Sequence, residues 1–523
     1  MSTILFFLTV GILCLGYRFW GTYISKIAGI EISRQTPAIA RYDGVDYVPA
    51  KNWVVLFGHH FASIAGAGPI VGPILGYIYW GWIGTLIWII FGTIFIGGVH
   101  DFLSLFISVR EDGQTVGRVA QKYISKRSSK VFLVFLWFAL IIVIAVFASL
   151  CANSFINEPQ VVVPSLGLIP LAMIVGVLLY VFRINIVIAT TIGIVLLIGL
   201  LVAGNYFPLT IERGNPYLLW MGILFTYAFF ASILPVNILL QPRDYISSFL
   251  LFFGIIVSVI GLVLKPVALQ GTKFFAFPSG AGPLVPIMFI TVACGAISGF
   301  HSLVSSGTTS KQLTSEGYAK RIGYGAMVLE AVLATIALFC VAFGLKHASP
   351  EKSAVELFAL GFSKIVYFFG DYGMAIGIVI LNAFILTTLD TATRITRFLT
   401  QEMFNIDNKW IATTIVIIAG GYLGISGKWQ ALWPIFGASN QLVAALALIV
   451  ISAWLLSHGK NYYVALIPAF IMLIITLSAL IYKAYSFYQQ KDYLLLSVSG
   501  ILIVLSGFVV LEFRALRLMH KNA

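Results

Sequence analysis

Charge is what this chain has least of. Asp, Glu, Lys and Arg make up only 10% of its 523 residues, against about 25% in an ordinary soluble domain. Hydrophobic residues reach 60% and mean hydropathy is +1.00, so much of the surface must face lipid. Cysteine is scarce too. Cys14, Cys151, Cys294 and Cys340 all fall in apolar runs, lack the CxxC or Cys/His spacing of a metal module, and read as packing residues. HExxH, GxSxG and Walker signatures are missing, and no loop is long enough for a soluble catalytic domain, which argues against an enzyme. No low-complexity linker divides the chain. The one excess is basic, a net charge of +13. Basic residues retained in cytoplasmic loops beside anionic lipid account for it without nucleic acid.

What the sequence does contain is a series of continuous apolar runs, each about 20 residues long, the length a helix needs to cross hydrocarbon. In that medium the backbone can satisfy itself only in helices or in a closed barrel. Barrel strands would alternate apolar and polar residues, and these runs do not. The expectation is an all-α, polytopic transmembrane helical protein of about fifteen spans. They lie near 3–20, 52–79, 82–108, 131–151, 166–182, 184–204, 217–240, 245–264, 285–304, 322–345, 365–390, 410–426, 431–457, 462–483 and 493–512. The first run has no basic n-region and no A-x-A-like cleavage site, and is read as a retained span rather than a signal peptide. Lys and Arg gather in alternate loops, notably 18–51, 110–130, 311–321, 394–409 and 514–521. That alternation predicts an inner-membrane protein with its N-terminus outside and its C-terminus cytoplasmic.

Two spans carry breaks. The second reads WVVLFGHHFASIAGAGPIVGPILGYIYW. A helical Pro69 cannot bond the carbonyl of Ala65, nor Pro73 that of Pro69, and Gly66, Gly68, Gly72 and Gly76 let another helix close in. Backbone freed at membrane depth persists only inside protein or along a wet cavity. A kinked packing helix is the plain alternative; the density of Gly and Pro favours an unwound segment. In the seventh span Pro235 frees the carbonyl of Ala231 beside Asn237. That span lies five crossings on and enters from the opposite side. Interrupted helices at matching places in inverted halves point to a transporter's substrate site. Gly66, Ala67, Gly68, Pro69, Pro235 and Asn237 are therefore candidate substrate-binding residues, where half-helix N-termini would offer N–H groups to an anion.

Ionisable groups inside spans are costly and tend to be functional. His59, His60, His100, Asp101, His301, Glu330 and Asp390 all fall toward the cytoplasmic ends of their spans and could meet in space. A proton relay or inner gate is one reading, since imidazole titrates near neutrality. On it, His59, His60, Asp101, His301, Glu330 and Asp390 are the coupling or gating candidates. A metal site is a second reading, weakened because adjacent histidines diverge by about 100° on a helix, where an i, i+4 pair would serve better. Hydrogen bonding between helices is the third, and Asp390 with Arg394 at i, i+4 reads most simply as a helix-end ion pair. Hydroxyls at Ser298, Ser302, Ser305, Ser306, Thr308, Thr309, Thr387, Thr388 and Thr391 could coordinate Na⁺, donate to a carboxylate, or back-bond to their own helices. Ser302 joins the substrate-binding candidates. Asn440 and Gln441, in LWPIFGASNQL, are read as helix glue or a dimer contact.

Six stretches in order, GHHFASIAGAGPIVGPILG, GGVHDFLSLFISVREDG, CGAISGFHSLVSSGTTSKQ, GYGAMVLEA, TTLDTATR and LWPIFGASNQL, resemble the carbon starvation protein A (CstA) family of bacterial membrane proteins. The resemblance runs from span 2 to span 13, and the chain looks like a shorter member, since longer ones carry further C-terminal spans. It implies a LeuT-like core of two inverted five-helix repeats, related to the amino acid–polyamine–cation superfamily. It also implies peptide uptake during carbon starvation, or proton-coupled pyruvate uptake. The organisation expected is an N-terminal span and loop (1–50), a core of spans 2–11 (51–400) and peripheral C-terminal spans (401–523). The expected activity is secondary import of a peptide or small carboxylate, coupled to H⁺ or else to Na⁺, in contact with lipid and with no cofactor or resident metal. A metal or cation carrier using the histidines, and a membrane nutrient sensor, are the alternatives.

Overall fold

Each expected crossing overlaps helical segments among the described residues, the ninth only in part, and no strand occurs among them. The computed structural model describes residues 2–44, 47–180, 182, 184–234, 239–266, 281–345, 352–425, 427 and 429–521. The first part of the chain forms α1 (Ser2–Ala28), the broken pair α2 (Trp53–Ile64) and α3 (Gly68–Trp80), and α4 (Trp82–Arg110). It continues through α5 (Lys126–Asn157), α6 (Val162–Tyr180), α7 (Ile186–Tyr206), α8 (Pro216–Ile233) and α9 (Leu240–Leu264). A second interrupted crossing follows: a π turn at Leu284–Met288, a helical turn at Phe289–Thr291, irregular backbone at 292–299, and α10 (Phe300–Gly307). After it come α11 (Ala319–Gly344), α12 (Ala354–Ile365), α13 (Tyr372–Phe404), α14 (Lys409–Gly424), α15 (Trp429–Ser457), α16 (Tyr463–Gln489) and α17 (Tyr493–Lys521).

By length and apolarity, 11 of the described helices can cross a membrane, or 12 with the bent pair α2–α3 taken as one span. The other expected crossings coincide with the interrupted 284–307 segment, with the short α14, and with α17, whose described apolar part, Tyr493–Phe508, is also short.

The first break sits where the prolines require it. Asn52 caps α2 by accepting from the Val55 amide, and α2 stops at Ile64 because Pro69 could not continue its hydrogen-bond ladder. The chain bends by 46° and restarts with Pro69 in the first turn of α3, where a missing N–H costs nothing.

The long helices α5 and α13 pack together, α11 packs on α2, α3 and α4, and α9 packs on α2. Within 401–523, the region expected to be peripheral, the most apolar stretch of α15 is wholly enclosed. That helix is largely apolar and carries Ala438, Ala444, Ala445 and Ala447, small enough for neighbours to approach closely.

Candidate functional site

The two irregular segments touch. A Cβ on Gly68 would lie 2.3 Å from the Cβ of Cys294, so only glycine allows this approach. Gly295 takes a left-handed conformation (φ +86°) that a side chain would strain. The carbonyl it frees is met by α4, which loosens into a π turn at Thr93–Gly97 and brings the Thr93 hydroxyl to donate to Gly295 O at 3.3 Å. Such π bulges occur frequently at functional sites. From α15, Asn440 accepts from Gly299 N through its backbone carbonyl (3.1 Å) and from Phe300 N through Oδ1 (2.9 Å). Its Nδ2 donates to Ser298 Oγ and Cys294 Sγ, each at 3.0 Å. The start of α10 is therefore occupied by protein, whereas α3 begins at the void described next.

Among the described residues, the segment that meets the first break is the ninth crossing. Pro235 and Asn237 lie outside the described residues; the described part of that crossing, α8, packs against α5, α13 and α14.

Between the breaks lies a void of about 10 Å³ walled by Gly66, Gly68, Pro69, Phe147, Cys294, Ser298, Thr388, Phe436 and Asn440. It has room for about one water, so the walls must part to admit a carboxylate. A large vestibule approaches the centre from either end. On the α2 side, 680 Å³ is lined by His59, Ser63, Thr391, Arg394 and Gln312. On the α3 side, 550 Å³ is lined by Trp80, Thr291, Trp429, Trp433 and Lys483.

The ionisable residues fall into separate groups. Asp101, His301 and Glu330 meet with none exposed: His301 Nδ1 is 2.8 Å from Asp101 Oδ2, and its Nε2 is 3.1 Å from Glu330 Oε2. Ser305 donates to the other Asp101 oxygen at 3.4 Å. His59 stands apart, 3.2 Å from Asp244 and 3.3 Å from Gln312. His60 pairs with Thr309 at 2.9 Å. His100 is buried, and neither ring nitrogen has a hydrogen-bond partner among the described residues. Asp390 does not pair with Arg394. Its partners are Arg243 and the Tyr227 hydroxyl, while Arg394 turns to the end of α8 and donates to the carbonyls of Ala231 (2.7 Å) and Leu234.

Of the substrate-binding candidates, Gly66, Gly68 and Pro69 line the void and Ala67 is buried at the start of α3. Ser302 is not in the wall; its hydroxyl donates to Gly299 O at 2.7 Å within its own turn. Sequence reasoning passed over Phe147 and Phe436, took Cys294 for a packing residue, and read Asn440 as helix glue or a dimer contact. It also gave no role to Arg243, although its side chain is only 2% exposed and reaches Asp390, Tyr227 and Asp244. The adjacent opposite charges in QPRDY, at the head of an apolar run, were the available signal.

Among the described residues no group of three or more His, Cys, Asp or Glu could hold a metal ion. The family model of the carbon starvation protein CstA matches residues 1–349 and 341–479. A peptide transporter CstA of Campylobacter jejuni is 34% identical, over 90% of this chain and 79% of that protein. The Escherichia coli peptide transporter CstA is 32% identical over 91% and 80%. The E. coli pyruvate/proton symporter BtsT is 31% identical over 92% and 82%. Among solved structures, MhsT in complex with L-phenylalanine superposes with a TM-score of 0.53 at 14% identity, covering 89% of this chain and 99% of that one. A mutant Eremococcus coleocola manganese transporter gives 0.50 at 13%, covering 91% and 99%. These two likenesses bear on the fold alone, and they agree with the LeuT-like architecture expected.

Proposed function

Since the chain belongs to the carbon starvation protein CstA family, we propose that it is a secondary transporter that imports peptides or pyruvate-like carboxylates through the meeting point of its two broken crossings, with protons as the coupling ion. The observation that carries this is the small void between the breaks with a vestibule on either side, which is what alternating access around a fixed site requires. In this reading the substrate carboxylate meets the amides at the start of α3, where the helix dipole is positive, beside Ser298, Thr388 and Asn440. The α3-side vestibule opens outside and the α2-side one to the cytoplasm of a bacterial inner membrane, following the basic loops.

Coupling is assigned to Asp101, His301 and Glu330. Two buried carboxylates against one imidazole leave one negative charge uncompensated, and a buried charge is tolerated only when neutralised or paired; one further proton supplies this. The groups around His59 and Asp390 act as inner latches, tying α2 to α9 and α9 to α13. The transport core extends beyond 51–400 to include α15, because Asn440 lines the void. No catalytic role is assigned. In proteoliposomes, uptake of labelled pyruvate or trialanine should rise with an inward pH gradient and collapse with an uncoupler. Uptake indifferent to the uncoupler but dependent on Na⁺ would move the coupling role to the hydroxyls of α13.

A further inference from the structure

The α3-side vestibule has charges on its walls that the central void does not use. Its 550 Å³ lobe carries Lys352 and Lys483 beside Trp80, Trp429 and Trp433. Ser353, Trp429 and Gln430 also line an adjoining lobe of 350 Å³, which carries Glu158 and Glu356. Both volumes are within the size of small-molecule sites, about 300–1,000 Å³. Lys352 is already paired with Glu356 at 2.6 Å. What remains is Lys483, which has no hydrogen-bond or ion-pair partner among the described residues, and Glu158, which accepts from Gln160 Nε2 at 2.7 Å but meets no cation among them. Burial and the nearby Glu356 carboxylate push Glu158 above the usual carboxylate range, as expected of an anion short of a counter-charge.

A spare ammonium in one lobe and a spare carboxylate in the next complement a zwitterion whose two charges stand some distance apart. Pyruvate has no cationic end; a short peptide has both. We propose that this double-lobed vestibule is a docking site for short peptides with free termini. Their carboxylate is held by Lys483, their ammonium by Glu158, and their side chains by the tryptophans. The proposal rests on the transporter reading above and deepens it, by giving peptides a first docking point that pyruvate, carried through the same centre, does not use.

The test is binding of radiolabelled trialanine to the purified full chain, by scintillation proximity, with flux measured in parallel in proteoliposomes. Lys483→Gln should weaken trialanine binding about tenfold, the loss of roughly one charged contact, and Lys483→Arg should restore it. Glu158→Gln should weaken trialanine by a similar factor and leave N-acetyl-trialanine untouched. The proposal is overturned if the wild type does not bind trialanine, if both Gln variants bind it as wild type does, or if Glu158→Gln weakens the acetylated peptide equally. Trialanine bound with this pattern but never carried across would leave the docking site standing and sink the transporter reading.

Discussion

Replacing Glu330 by Gln should free transport from the proton gradient without stopping it. Asp101 and Glu330 flank His301 at 2.8 and 3.1 Å, with no exposed atom among the three side chains. A protonated imidazole offsets one carboxylate. The other, charged and unpaired in a dry interior, would cost several kcal/mol or more, so it takes a proton instead. Glu330→Gln keeps the side-chain shape, leaves His301 with Asp101, and lowers the proton load by one per cycle. One proton moving with one monovalent anion is electroneutral, so the pH difference alone sets the limit of accumulation. A difference of one pH unit is worth about 1.4 kcal/mol, or about tenfold. The assay is pyruvate uptake into proteoliposomes held at zero membrane potential with valinomycin and potassium, one unit more acidic outside. The wild type should reach about tenfold accumulation; the variant should level at equal concentrations while still exchanging internal for external label. A variant that still concentrates pyruvate about tenfold would show that Glu330 carries no coupling proton.

Three other outcomes follow from the packing. Gly68→Ala places a Cβ 2.3 Å from that of Cys294 and should cost about 1–3 kcal/mol by overpacking; in thermal melts of detergent-purified protein, Gly68→Ala with Cys294→Gly should recover most of the loss. Asp390→Asn leaves the buried Arg243 short of its main counter-charge and should destabilise by about 3–5 kcal/mol, so a melting curve like that of the wild type would remove the latch. Glu111, just beyond α4, is raised by burial, but donation from Lys122, Tyr123 and Trp454 carries its carboxyl below the usual range. Its stabilisation is therefore complete above the unfolded carboxylate value, about pH 4.3, and is lost as pH falls through the lower folded value. Melting temperature should drop over that window in the wild type, and Glu111→Gln should start lower and drop less.

The crossings and the first break were legible because both are local. Apolar length writes each span into consecutive residues, and Pro69 removes a donor wherever it stands in a helix. The second break has no such mark, since residues 292–299 contain no proline. They are unwound because Gly295 accepts a left-handed φ and because Thr93 and Asn440, from distant helices, supply the bonds a helix would have made itself. Reading breaks from proline led instead to Pro235. Six described helices, α4 to α9, lie between the first break and the ninth crossing, so a count of five onward stops short of it. The Asp101–His301–Glu330 group was legible as residue types at one membrane depth, but not as a contact. Arg243 went unremarked because charge at the edge of an apolar run looks the same whether it faces headgroups or a buried aspartate.

Asn440 also constrains how the molecule can move. Its helix grips the unwound strand through two main-chain amides and two side chains, so tilting the ninth crossing alone would tear four bonds out of a region water does not reach. The cheaper motion swings α15 and that crossing as a single lever. Where Cys294 meets Gly68 that lever slides on smooth glycine with no polar bond between them, while Thr93 and the Asp101–His301–Glu330 group tie its other side to α4 and α11.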